Sequence, residues 1–594
     1  MPQGRRKVPF SAKQKRQQLK DKRDHKKGHN REDTGVGSDD TNELSGDEET
    51  TIVSQSGAHS SAYGVRHMNV QKAVDRHKDV NRFALQFFEE SPQELSERRE
   101  ESRKPFEVLA ENRLEVSVEE VFSGRDGRQS SLDLPKRPKW DQNTTSAQLE
   151  TSEHRYFRQY LDTITKCNDR LSYFEVNLET WRQLWRVLEM SDIVLLIADI
   201  RHPVFHFPPS LYDYVVNELK KDMILVLNKV DLVAAPLVLA WTQYLRQTFP
   251  ELNVISFASY AGMKVKSNKK RIGKLRMASN AAKDLQSVCQ RICGQRVDLS
   301  NWKSKIEDEL RAEELASTRD EYSDDSEDES RDPLKACEQK YEKLDLNYYN
   351  QTERFKDGVV TIGCVGHPNV GKSSLLNAIM GRKVVSVSRT PGHTKHFQTI
   401  YLTPTVRLCD CPGLVFPSKA PKELQVLMGC YPIAQLREPY SAIGYISQRI
   451  PVSKILRLTH PNHDEPGVHP WSAYDICESW AIKRGFLTAK AARPDVYRAA
   501  NQLLRMALDG RTLCLAFFPP NYVKQKDTIW STHPDIRYIE TIRGQPLESD
   551  LFEEMATNVM TGDNEDMSEE SDEEEQEVRT KSRFAVLQES DLND

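Results

Sequence analysis

A parallel α/β sheet, interrupted by a charged insertion and followed by a helical region, is the fold this sequence predicts. Three observations predict it. Short apolar runs end in polar turn motifs at two distant places in the chain, as buried parallel strands do. Helical patterns follow those runs, so strand and helix alternate. A glycine-rich loop, Gly366-His367-Pro368-Asn369-Val370-Gly371-Lys372-Ser373, stands between an apolar run and a helical pattern. In that context backbone amides and a helix N-terminus cradle phosphate.

The elements follow in order. Residues 173–190 read as an amphipathic helix, 193–197 as a buried strand, 211–220 as a helix and 223–227 as a second buried strand. That strand delivers Asn228-Lys229-Val230-Asp231 at its C-terminal end. Residues 237–248 read as a helix and 253–257 as a third strand. The pattern breaks after Gly262: residues 264–276 hold seven Lys/Arg in thirteen, and 319–332 are acidic and serine-rich. A surface insertion or linker is predicted there. The α/β pattern resumes with a strand at 359–365 and a helix at 372–380, with Gly381 as its C-cap. Residues 397–402 and 406–409 alternate as a hairpin turning at Thr403-Pro404. Residues 419–515 are mostly helical in pattern, 489–509 most clearly, with Asn501, Gln502 and Arg505 off the apolar stripe.

The 594 residues leave room for two or three domains, and 38% apolar with 29% charged residues suit a soluble protein with long charged tails. The net charge of −5 hides segregation. Residues 1–31 carry 12 Lys/Arg against 2 Asp, a local charge of +10, and residues 563–577 carry 10 Asp/Glu among 15. The expected organisation is a basic then acidic disordered tail (1–60), an N-terminal extension (61–150), two halves of one α/β domain (151–262 and 346–418) around a charged linker (263–345), a helical domain (419–546) and an acidic disordered tail (547–594). Within the extension, 70–88 has some helical periodicity, and the proline-rich 136–140 reads as extended chain. Residues 10–27 would form a basic helix on a partner. No apolar run reaches membrane-spanning length and no signal-peptide core is present. The chain is expected in the cytosol or nucleus, with ten reduced cysteines whose spacing supports no zinc site.

The motifs carry specific chemistry. Asn228-Lys229-Val230-Asp231 is the guanine-reading pattern of GTPases. Asp231 would accept the ring N–H and exocyclic amine of guanine; adenine offers no such pair and would leave a buried acceptor unsatisfied, at roughly 1–3 kcal/mol or more. Asn228 would meet the other edge of the base, and the stem of Lys229 would pack along the ring. In the phosphate loop, Gly366 and Gly371 let backbone wrap closely around phosphate. Lys372 would reach the β- and γ-phosphates, and Ser373 would ligate Mg²⁺. Asp410-Cys411-Pro412-Gly413 follows 37 residues after Ser373. Asp410 would hold Mg²⁺ through water, the Gly413 amide would sense the γ-phosphate, and Leu414 belongs to the same nucleotide-contacting loop. Thr394 is the switch-loop candidate for Mg²⁺, with Thr390 as runner-up. Ser256, Ala258 and Ser259 are candidates for the loop that closes over guanine.

In an ordinary GTPase the phosphate loop precedes the base reader; here the base reader comes first. Together with Asp199-Ile200-Arg201-His202-Pro203, Pro391 to Thr394, Arg493-Pro494-Asp495 and Arg498-Ala499-Ala500, this order resembles the circularly permuted GTPases that include nucleostemin and the large-subunit assembly GTPases. The likeness covers about residues 150–262 and 350–520. It implies a Ras-like P-loop GTPase domain with a C-terminal helical domain, binding and hydrolysis of GTP to GDP with Mg²⁺, and for many members a role in ribosomal subunit maturation. A pre-ribosomal particle or rRNA would then meet the basic N-terminus of a monomeric chain moving between nucleus, nucleolus and cytoplasm. Leu414 stands where a water-orienting glutamine is common, so turnover is expected to be slow. Asn369 matches the asparagine that ligates K⁺ in related GTPases, which adds it to Lys372 and Thr394 as a catalytic candidate. Arg389 is a weaker candidate for a finger in cis. Permutation connects residues 410–414 directly to the helical domain, so their movement on hydrolysis would pull on it. The alternative is a GTP-binding scaffold that barely hydrolyses and signals through Ser323, Ser326, Ser568 and Ser571, which have acidic residues downstream.

Overall fold

The computed structural model describes residues 85–88, 90–122, 132–140, 144–167, 171–259, 279–317, 354–388, 390–392, 394, 396–462, 469–488 and 492–543. The basic N-terminus with its 10–27 segment, residues 70–84, the charge runs at 264–276 and 319–332, Arg389, the four serines named above and the acidic C-terminal tail lie outside them.

Six strands form one sheet: β1 (Ile193–Asp199), β2 (Asp222–Asn228), β3 (Asn253–Ser256), β4 (Val360–Val365), β5 (Gln398–Thr403) and β6 (Val406–Asp410). Their order is β3-β2-β1-β4-β6-β5. All neighbours are parallel except the edge hairpin β5–β6. Every residue of β1 is buried, which is why its sequence is a continuous apolar run instead of an alternation. The two halves of the chain meet at β1 and β4, where Ile193 lies beside Ile362 and Leu196 beside Val365. Counted from β4 as strand one, with β1 to β3 as strands four to six, the order reads 2-3-1-4-5-6. That is the expected Ras-like sheet, entered at a different point in the chain.

The helices used below, in chain order, are α1 (Pro92–Glu101), α2 (Ser146–Cys167), α3 (Leu178–Met190), α4 (Ala235–Thr248), α5 (Ser279–Cys293), α6 (Ser300–Ser317), α7 (Lys372–Met380), α8 (Lys422–Leu427), α9 (Tyr440–Ser447), α10 (Ala473–Arg484), α11 (Val496–Asp509) and α12 (Ile536–Arg543). Helix α3 begins five residues later than its apolar pattern suggests. Asn177 caps it by accepting from Glu179 N–H. The preceding residues are held extended by tertiary bonds: Tyr173 N–H to Gln425 Oε1 (2.7 Å), Glu175 N–H to Val415 O (3.0 Å) and Val176 N–H to Gln86 O (3.0 Å). The helix predicted at 211–220 is a single α turn, Pro209–Tyr212, widened into a π turn over Asp213–Glu218.

Residues 279–317 correct the expectation of a charged linker. Helix α5 buries Ala281, Ala282, Leu285, Cys289 and Cys293 and packs on β3, while α6 buries Trp302 and Ile306. The charge runs on either side hide an apolar stripe at helical spacing. Helix α11 likewise begins at Val496, not at 489. Pro494 stands in an isolated bridge with Leu487, and Asp495 caps the helix by accepting from Arg498 N–H at 3.0 Å. The segment after α11 is tied back to the sheet half of the molecule by hydrogen bonds. Trp241 Nε1 of α4 donates to Phe517 O at 3.0 Å, and Phe517 N–H donates to Arg201 O at 2.9 Å.

One buried acid deserves a test of its own. Glu175 is fully buried; its Oε1 accepts the N–H groups of Gln86 (3.0 Å) and Asn177 (2.8 Å), while Oε2 has no partner. Burial lifts its pKa to about 8, against the pull of those N–H groups. The folded value lies above the ordinary 4.5, so this stabilising contribution is complete below that value and is lost as pH rises through 8. Glu175→Gln is neutral at every pH. Its melting temperature is expected to rise relative to the parent chain between about pH 6 and about pH 9. A difference that stays flat across that range would count against a neutral buried Glu175.

Candidate nucleotide-binding site

The carboxyl ends of β1, β2, β4 and β6 converge where the two chain halves meet, and ligands of open α/β sheets bind in such a crevice. The loop after β4 runs from Gly366 to Gly371 and opens directly into α7 at Lys372. Gly371 has φ +98°, and a Cβ there would lie 2.3 Å from Asn228 Nδ2. Only glycine permits both the conformation and the approach.

The base-reading motif clasps this loop from the other half of the chain. Asn228 Nδ2 donates to Val370 O at 2.9 Å, and Lys229 Nζ donates to Asn369 O at 2.7 Å. Lys229 has φ +61°, which turns the chain out of β2. Ser259 Oγ donates to Asn228 Oδ1 at 3.1 Å, so Ser259 is the candidate of the three closing-loop residues that touches the motif. Ser256 ends β3, and Ala258 is buried. Val230 N–H donates to Phe257 O at 3.3 Å, and burial raises the pKa of Asp231.

On the phosphate side, Lys372 Nζ donates to Gly366 O (3.1 Å) and His367 O (2.7 Å). Burial lowers its pKa, with Asp410 opposing. Ser373 Oγ donates to Asp410 Oδ2 at 3.0 Å, and Asp410 Oδ1 is buried without a partner. Burial lifts Asp410 to about 6, opposed by Lys372 and the Ser373 bond. An orphaned carboxylate oxygen beside a serine hydroxyl is a donor set that suits a hard divalent cation completed by phosphate and water. Gly413 lies against the phosphate loop: a Cβ there would be 2.8 Å from Pro368 Cα and 3.1 Å from Lys372 Nζ. Leu414 N–H donates to Gly366 O at 3.2 Å, and its side chain is buried.

Asn369 has φ +58° and donates through Nδ2 to Gly429 O at 2.9 Å, while its Oδ1 accepts no hydrogen bond among the described residues. Thr394 is partly buried and makes no side-chain hydrogen bond to Ser373 or Asp410. Thr390 is exposed, with its N–H donated to Ser388 Oγ at 3.1 Å. The structure thus gathers the residues of all three motifs but joins neither switch threonine to them.

Sequence reasoning placed His367 in the phosphate loop but gave no role to several other residues that the site contains. Asp199 and Arg201, at the end of β1, form a buried ion pair beside Lys229. His202, His206 and His367 form a buried row with ring centroids 6.1 and 5.0 Å apart. Burial holds all three imidazoles neutral, taking His202 and His206 down to about 3. The signal was present in Asp199-Ile200-Arg201-His202-Pro203, but a pentapeptide does not show what its side chains face.

Residues 361–431 match the family model described as 50S ribosome-binding GTPase. Guanine nucleotide-binding protein-like 1 of Mus musculus is 46% identical over 556 residues, covering 91% of this chain and 90% of that protein. The Large subunit GTPase 1 homolog of Bos taurus is 33% identical over 435 residues, covering 64% of this chain and 66% of that protein. Among solved structures, GNP-bound YlqF from T. maritima aligns over 58% of this chain and 98% of its own at 16% identity, with a TM-score of 0.32.

Proposed function

Because this chain belongs to the guanine nucleotide-binding protein-like 1 family of circularly permuted GTPases, we propose that it is a slow, cation-assisted GTP switch acting on a ribonucleoprotein particle. Membership makes it a GTP-binding protein and, in general, a GTP-hydrolysing enzyme. The observation that carries the site assignment is the clasp of Asn228 and Lys229 on Val370 O and Asn369 O. The base-reading motif and the phosphate loop, from opposite halves of the chain, meet through these two bonds, which supports one shared nucleotide site.

In this reading Asp231 and Asn228 take the guanine edges and Ser259 supports Asn228. Lys372 exchanges its two carbonyl acceptors for phosphate oxygens. Ser373 and Asp410 would hold Mg²⁺, with Thr394 as a further candidate ligand, and the ion would supply positive charge beside the phosphates. The Gly413 amide reads the γ-phosphate, and the chain leaves that point directly for the helical region. Leu414 has no polar group to orient water, so intrinsic hydrolysis is slow. A K⁺ ion held by Asn369 Oδ1 would add positive charge between the phosphates, the service an arginine finger performs elsewhere. The basic N-terminus and the large-subunit name of one relative support a ribosomal assembly particle as the target.

The test is single-turnover GTP hydrolysis by the full chain in K⁺ and in Na⁺. Turnover is expected in K⁺ and to fall on the order of tenfold or more in Na⁺. Equal rates in both salts would remove the cation from the mechanism. Tight GTP binding with no turnover in either would replace autonomous hydrolysis by a partner-activated enzyme or a nucleotide-stabilised scaffold.

A further inference from the structure

The pentapeptide at the end of β1 does something that the nucleotide motifs do not require. Asp199 Oδ2 is shared: Arg201 Nη2 reaches it at 2.8 Å and Lys229 Nζ at 2.9 Å. Asp199 Oδ1 accepts the Arg201 N–H and Nε, both at 3.0 Å. Burial works against this carboxylate, but the two cations hold it well below the usual carboxylate range. Arg201, 1% exposed, spends its remaining donors far away in sequence. Nη1 donates to Ala507 O at 3.0 Å and Nη2 to Leu508 O at 3.2 Å. These belong to the last turn of α11, whose terminal carbonyls have no partner within the helix. An arginine there satisfies them and complements the negative end of the helix dipole.

A second path joins the same places. A Cβ on Gly429 would lie 2.6 Å from both Asn369 Nδ2 and Leu508 Cδ1. The end of α11 therefore reaches the phosphate loop twice. One path runs through Arg201, Asp199 and Lys229 to Asn369 O; the other runs through Gly429 to the Asn369 side chain.

We propose that Asp199 and Arg201 are positioning residues that hold Lys229 on the phosphate loop only while the last turn of α11 is docked, so that guanine-nucleotide affinity and docking of the helical region are reciprocally linked. This linkage acts from the base side of the site, independently of the γ-phosphate-sensing loop at Asp410–Leu414. It rests on the reading that Lys229 contacts the bound nucleotide. Linkage is symmetric by thermodynamics: whatever α11 does to nucleotide affinity, nucleotide does to α11. Arginine is required because a planar fork can address a carboxylate and two carbonyls together, which an ammonium cannot.

Two full-chain variants test it. Gly510, at φ +77°, caps α11, and a Cβ there would lie 2.3 Å from Arg201 Nη1. Gly510→Ala thus displaces the arginine, with a second close approach of 3.2 Å to Leu232 Cδ1 just beyond the base-reading motif, and Arg201→Lys, which leaves Gly510 in place, keeps the charge but loses the fork. Titration with a fluorescent GDP analogue is expected to show affinity weakened on the order of tenfold in both. In the parent chain, GDP is expected to slow amide hydrogen exchange across residues 506–510, and that GDP-dependent difference should vanish in Arg201→Lys. A purely structural role would speed exchange in the variant but leave the difference intact. Affinities within about twofold of the parent, or no GDP effect on exchange in the parent chain, would overturn the linkage. If Gly510→Ala does not fold, the exchange experiment on the parent chain decides alone. A parent chain that bound no guanine nucleotide would remove the nucleotide assignment itself, and the linkage with it.

Discussion

Asp231→Asn is expected to weaken GTP binding on the order of 100-fold or more while improving binding of xanthosine triphosphate. In the proposed base site the carboxylate would accept two guanine N–H groups, and hydrogen bonds to a charged group contribute about 1.5–3 kcal/mol each. Asparagine replaces one acceptor oxygen by an NH₂ donor. That donor faces the exocyclic amine of guanine unfavourably, but it meets the carbonyl that xanthine carries at the same ring position. The change is local, because the structure anchors the motif through its neighbours. Asn228 and Lys229 bind the phosphate loop, and Val230 N–H binds Phe257 O. Competition titrations with GTP, XTP and ATP on both chains measure it. A parent chain that binds ATP as tightly as GTP, or a variant with unchanged GTP affinity, would remove Asp231 from the base site.

Lys372→Ala is expected to lower single-turnover GTP hydrolysis on the order of 10³-fold, since in the proposed site this lysine would reach the transferring phosphoryl group. Burial lowers its pKa, with Asp410 opposing, and its ammonium donates to Gly366 O and His367 O. Substitution therefore also removes the lysine donor from His367 O, while Gly366 O keeps the Leu414 N–H, and some loss of thermal stability is expected with the loss of rate. Comparing GTP with guanosine separates the two effects. Affinity for guanosine, which has no phosphates, should change little. Equal losses for both ligands would mean that the loop had collapsed and that the lysine's charge was not what mattered.

Much of the site was legible because each motif is contiguous. Gly366 to Ser373 spells a strand–loop–helix cradle, and the structure opens α7 at Lys372 as that pattern demands. The β1, β2 and β4 strands announced themselves as apolar runs because both faces of a central parallel strand are covered. Where the reading failed, a tertiary contact or a misleading neighbour was responsible. Residues 173–177 carry helical periodicity but are drawn straight by bonds to Gln86, Val415 and Gln425. The stripe of α5 was hidden by charge runs on either side. Thr394 was chosen by motif order, and its side chain makes no hydrogen bond to Ser373 or Asp410, so its role remains a proposal.

By itself, the sequence determined which nucleotide chemistry this chain presents and that its two halves must swap order around one sheet, because phosphate cradling and guanine reading depend on residue types at fixed short spacings. Only the tertiary structure decided what holds those motifs to the rest of the molecule. Arg201 meets Ala507 O across 306 residues, and Asn369 meets Gly429 across 60. Such contacts leave no periodicity and no local spacing in the chain. They exist only once the sheet has closed and the last turn of α11 has found its buried arginine.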